Sequence, residues 1–96
     1  MSNETLKETT LVGAWTPFSS TIDNQAQSAF DEALKGLVGV DYIPVAVAQQ
    51  VVAGMNYKFF CNTKLIIPFP INGSAMVSIY KPIDGKAHIT GIQNID

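Results

Sequence analysis

Cys61 is the only cysteine in the chain and His88 the only histidine. A thiolate–imidazole pair performs acyl transfer when a third group orients the base and a glycine-rich turn stabilises an oxyanion. Both residues fall in segments that read as strands, and no third group or oxyanion turn accompanies them. Cys61 therefore reads as a buried thiol acting as a small hydrophobe, and His88 as a surface or half-buried imidazole. The eight acids are scattered. Asp31 and Glu32 are sequence neighbours on a predicted helix, cannot face each other and form a solvated face. One His, one Cys and no carboxylates at ligand spacing give no metal site. Gly36-Leu37-Val38-Gly39 ends a helix rather than opening one, so it is not a phosphate loop. The expectation is a protein that is not an enzyme and uses no cofactor and no metal. A small enzyme or ligand carrier is the competing expectation, and it would have to act through Cys61 or His88.

Composition narrows the partners. Ninety-six residues, 47% hydrophobic and 15% charged, suit one globular domain. The net charge is -2, with six lysines and no arginine. Arginine is the usual reader of phosphate and guanine, so nucleic acid is not expected as a partner. No basic run suggests a membrane surface and no apolar run reaches the roughly 18 residues of a span, so no membrane partner is expected. A single cysteine excludes an intrachain disulfide. A reducing, cytoplasmic compartment is the simple reading, with secretion after processing as the alternative. Met1 to Thr10 lacks an apolar core and a charged n-region, so no signal peptide is read there.

Residues 1–10 are polar and are expected to be disordered, with one domain over residues 11–96. Leu11-Val12-Gly13-Ala14-Trp15 is a short extended apolar segment. Ser19-Ser20-Thr21 are good N-cap types, with Asp23 in the first turn. Ile22, Ala26, Ala29, Phe30, Ala33, Leu34 and Leu37 then recur in steps of three and four, which predicts an amphipathic helix over Ile22–Leu37. Gly36 and Gly39 are stop signals. Tyr42–Val52, Met55–Ile67, Ser74–Tyr80 and Ala87–Ile95 read as strands. Ala53-Gly54, Pro70-Ile71-Asn72-Gly73 and Pro82-Ile83-Asp84-Gly85 read as the turns between them. Short connections make the strands antiparallel, and one helix on such a sheet gives a two-layer α+β domain.

The turns are odd in one respect. Turn residues are normally Asn, Asp, Ser, Gly and Pro. The turn at Gly54 is instead approached through Val51, Val52 and Ala53, and the turn at Gly85 carries Ile83. Leu11, Val12 and Trp15 precede the helix. Either the strands run further and these side chains are core, or apolar groups stand at exposed edges for contact with a partner.

Gln50-Val51-Val52-Ala53-Gly54 resembles the Gln-x-Val-x-Gly motif of the cystatin family, and Asn56-Tyr57 extends the match. Leu11-Val12-Gly13 resembles the family's N-terminal segment ending in glycine. Ile79-Tyr80-Lys81-Pro82-Ile83-Asp84-Gly85 resembles its second binding hairpin, with Ile83 where secreted members carry tryptophan. The three occur in the family's order, with the helix between the first and second. The resemblance spans about residues 11–96. The absence of disulfides looks like the stefin branch, and the Pro-x-x-Gly hairpin like the secreted branch.

The resemblance implies a cystatin-like fold, in which one helix packs against a wrapped five-stranded antiparallel sheet. It implies a reversible, tight-binding inhibitor of papain-like (cathepsin-type) cysteine proteases. Leu11 and Val12 would lie along the unprimed side of the protease cleft, and Gly13 would let the backbone pass close to the catalytic thiol. Gln50, Val51, Val52, Ala53 and Gly54 would cover the centre, and Pro82 and Ile83 would touch the primed side. Losing a buried aromatic anchor costs about 2 kcal/mol or more, so Ile83 implies binding weaker by roughly tenfold or more. The alternative is a cystatin-fold binding module without protease inhibition. A monomer is expected, and strand exchange through the Gly54 hairpin would give a swapped dimer.

Overall fold

The computed structural model describes residues 13–69 and 71–95. The expected disordered tail, and with it Leu11 and Val12 of the candidate site, lies outside the described residues.

Helix α1 spans Asn24–Leu34, shorter than the predicted Ile22–Leu37. Its cap is Asp23 rather than Ser19–Thr21, its carboxylate accepting from the Ala26 N–H at 2.8 Å. Ser19 is occupied elsewhere: it exchanges backbone hydrogen bonds with Val47, and its hydroxyl accepts from the Thr21 N–H. At the other end Lys35 leaves helical geometry and Gly36 takes φ +89. The chain therefore turns away before Leu37, which is exposed instead of joining the apolar stripe. Ala26, Ala29 and Phe30 are buried, and Ile22, Ala33 and Leu34 pack around them.

Four strands follow: β1 (Val40–Val52), β2 (Gly54–Leu65), β3 (Asn72–Lys81) and β4 (His88–Ile95). They form one antiparallel sheet in the order β1-β2-β3-β4. β1 and β2 pair from Val40↔Leu65 to Val52↔Gly54, leaving only Ala53 between them. Pro44 is tolerated inside β1 because the register shifts between Pro44 and Ala46. The turn expected at Pro70–Gly73 falls earlier. Asn72 and Gly73 already pair with Lys64 and Thr63, and Ile66 and Ile67 lie beyond the end of β2.

The described residues make four strands, not five. The segment Gly13–Ser19 runs along the outer edge of β1 and bonds to it at three places, Gly13 to Val51, Thr16 to Gln49 and Ser19 to Val47. It thus uses three residues for every two of β1. A regular ladder cannot form at that ratio, and Pro17 has no N–H to contribute. The Thr16 hydroxyl takes over as acceptor for the Gln49 N–H.

The core lies between α1 and one face of the sheet. Phe59, Val77, Ile79 and Cys61 are its largest fully buried side chains. Phe30 of the helix meets Phe59 edge-on at 4.8 Å between centroids. Ala26 and Ala29 are small enough to let the helix backbone approach the sheet.

Candidate functional site

The three apolar edges singled out in the sequence meet, as far as they are described, at one end of the domain. Gly13 is held through both of its backbone groups. Its N–H donates to the Val51 carbonyl at 2.8 Å, and its carbonyl accepts from Gln50 Nε2 at 3.0 Å. Gln50 also accepts, through Oε1, from Asn56 Nδ2 at 3.0 Å. One glutamine side chain therefore ties the N-terminal segment to β1 and β2 together. Gln50 and Asn56 are cross-strand partners, so their side chains leave the same face of the sheet. Gly13 does not have a positive φ. Close approach is what its missing side chain serves, because a Cβ there would lie 3.3 Å from the Val51 oxygen.

The hairpin tip follows from Gly54, whose φ of +106 suits only glycine well. A Cβ on Gly54 would stand 2.3 Å from the Lys81 carbonyl oxygen and 3.1 Å from Pro82 Cα. The first hairpin thus rests directly on the start of the second. Tyr80 reinforces the contact, its hydroxyl donating to the Ala53 carbonyl at 2.5 Å. Lys81 Nζ donates to the Gly85 carbonyl and closes the turn that carries Ile83. Glu32 accepts from the Ala87 N–H at 2.8 Å and anchors the far side of that turn to the helix.

Val51 and Ile83 point outward, 60% and 72% exposed, while Ala53 is exposed and Val52 and Pro82 are half-buried. The sequence left open whether these side chains were core; Val51, Ala53 and Ile83 are not. Behind the two tips a cleft of about 750 Å³ separates them from α1, lined by Val52, Met55, Tyr57, Pro82 and Ile83 on one side and Asn24 and Ser28 on the other. Gln50 to Gly54 carry no charge. Such an edge suits insertion into a groove that offers apolar walls and backbone hydrogen-bonding groups.

Two supporting residues were not among the expected site residues. Asn56 and Tyr80 are direct β-ladder partners and continue the row begun by Gln50. His88 completes the row, its ring edge-on to Tyr80 at 5.7 Å. The sequence offers only two polar side chains and a tyrosine on three consecutive strands, which become a row once the register is known. Trp15 has a different place. Lys58 Nζ lies 4.4 Å from its ring centroid, so it packs on the sheet rather than beside the hairpin tips.

Replacing Gln50 with alanine removes two side-chain hydrogen bonds, each worth about 1 kcal/mol net. The expected result is faster amide exchange at Gly13 and a global stability lower by about 1–2 kcal/mol.

Cys61 and His88 are not brought together. Cys61 is fully buried and aligned with Ala75, while His88 is exposed and aligned with Tyr80, five residues further along β3. Burial pushes the Cys61 thiol from its ordinary 9.0 up to about 12. The folded state therefore holds this proton more tightly than the unfolded chain. The resulting stability is fully present below about pH 9 and is lost as pH rises towards about 12, with a slope of up to about 1.4 kcal/mol per pH unit. Burial, then the nearby Asp23 charge, also raise the Tyr57 hydroxyl, which acts in the same direction. Urea melts between pH 8 and 10.5 should show the decline, and Cys61→Ala should remove part of it.

Among the described residues no group of three or more His, Cys, Asp or Glu side chains stands together as a metal site, and no helix is long and apolar enough to cross a membrane. The fold and this edge define a small α+β domain presenting a hairpin-built rim whose first tip, Gln50–Gly54, carries no charge. Comparison with family models, curated proteins and solved structures returns no match for the chain.

Proposed function

We propose that the protein is a cystatin-like, reversible inhibitor of papain-like cysteine proteases, in which Gly13, Gln50–Gly54 and Pro82–Ile83 enter the protease cleft as one wedge. The observation that carries the proposal is the bonding among the segments. Three stretches far apart in sequence are joined by Gln50, by Tyr80 and by the contact of Gly54 with Lys81. Their motifs also resemble the three binding segments of the cystatin family. In this proposal Gly13–Ser19 occupies the place of the fifth strand, and the sheet corresponds to the wrapped sheet of that family.

The mechanism is exclusion. Rigid tips lose little entropy on docking, so apolar contact converts efficiently into affinity. Val51, Ala53 and Ile83 supply the contact, and Gln50 keeps Gly13 in line with them. No scissile bond is offered in register, so the inhibitor leaves intact. Leu11 and Val12 extend the proposal along the unprimed side.

Amide exchange with and without papain tests it. Protection is expected at residues 13, 50–54 and 83, Pro82 having no amide hydrogen, and not along β4. Protection elsewhere, or none, would remove the wedge. The second reading, a binding module of the same fold that does not inhibit, is favoured by one observation: isoleucine, not an aromatic, stands exposed in the second hairpin.

A further inference from the structure

The pole opposite the hairpin tips is also apolar, and the proposed wedge does not use it. β1 and β2 run side by side for about 40 Å at roughly 3.3 Å per residue, separating the two ends. At the far end the β2–β3 loop exposes Ile66, Ile67, Phe69 and Ile71, with Phe69 84% exposed. The Ile66 N–H donates to the Gly39 carbonyl at 3.0 Å, which brings Val38, 85% exposed, beside the loop.

We propose that this loop inserts into the interfacial region of a lipid bilayer, and that it does so by apolar partition rather than by charge. The run Leu65–Ile71 has no charged side chain and none that forms a hydrogen bond. Four of its seven peptide nitrogens present no free N–H: Leu65 and Ile66 donate to Ile71 and Gly39, and Pro68 and Pro70 have none. Unpaired backbone N–H and C=O groups normally keep a loop out of the hydrocarbon core, so insertion stops at the interfacial depth, where the carbonyls of the loop meet water and headgroups. The described residues of the loop lie beyond the ends of β2 and β3 and expose their side chains outward, so a partner must receive them. A typical protein interface would add about one hydrogen bond per 100–200 Å², and the side chains here can make none. Insertion at this pole leaves the hairpin tips facing solution.

Flotation with large phosphatidylcholine vesicles tests the proposal. The full chain should float with the vesicles to the same extent at about 0.1 M and about 1 M salt, since no ion pair with lipid is involved. The double variant Ile67→Ser, Phe69→Ser should partition at least about tenfold less. Both side chains are exposed, and far-UV circular dichroism should be unchanged. Val51→Ser, at the other pole, should float like the parent chain. Failure of the parent chain to float would overturn the proposal, as would equal flotation of the double variant or loss of flotation in Val51→Ser. Self-association through the loop without vesicle binding, seen by gel filtration and abolished in the double variant, would also overturn it. None of these outcomes bears on protease inhibition.

Discussion

Gly54→Ala should lower the stability of the domain by about 3 kcal/mol or more. Two costs combine. A non-glycine residue at φ +106 carries backbone strain of about 1–3 kcal/mol. The added carbon would also stand 2.3 Å from the Lys81 carbonyl oxygen, a backbone atom that cannot rotate aside. The start of the second hairpin must then move, which strains the bond from Tyr80 to Ala53. For a domain of this size each kcal/mol shifts Tm by about 4–8 °C, so a fall of about 12 °C or more is expected. Gly91→Ala is the control. Nothing lies within 4 Å of its added carbon, and its melting temperature should change by no more than about 3 °C. Equal melting of the Gly54 variant and the parent would show that the two hairpins are not seated on one another.

Gly13→Glu should have the opposite profile, with a large loss of inhibition and almost no loss of stability. Gly13 lies on the edge of the sheet, and its two backbone bonds do not require a glycine. A side chain there must still leave past the Val51 oxygen, 3.3 Å from its first carbon. In the proposed complex it would place an unpaired carboxylate against the uncharged Gln50–Gly54 tip, where docking would remove its water. Inhibition of papain is expected to weaken by about a hundredfold or more, with Tm changed by less than about 3 °C. Removing residues 1–10 should change inhibition little, and removing residues 1–13 should weaken it strongly. Inhibition by Gly13→Glu equal to that of the parent would take Gly13 out of the site.

The element types were legible in the sequence because each had one dominant periodicity. The stripe from Ala26 to Leu34 could only be helical, and the alternation around Met76–Tyr80 could only be extended. The ends were less legible because competing local bonds set them. Asp23 out-competed three other good caps once Ser19 was engaged by Val47. Gly36 in a left-handed conformation ended the helix before Leu37. Asn72-Gly73 looks like a turn but opens β3, paired with Lys64 and Thr63, because β2 already ends at Leu65. In the site, Val51 and Ile83 stood out as valine and isoleucine where turns are polar. The parts played by Gln50 and Tyr80 were hidden, because they depend on register across three strands. A motif string records which residues recur and not which carbonyl each one reaches.

The most direct test of the proposed wedge is titration of active papain with the full chain, followed by recovery of the intact chain. Inhibition that is reversible, competitive and complete at micromolar concentration or below, with no cleavage between Gly13 and Gly54, is the predicted result. Full papain activity in the presence of a large molar excess of folded protein would contradict it.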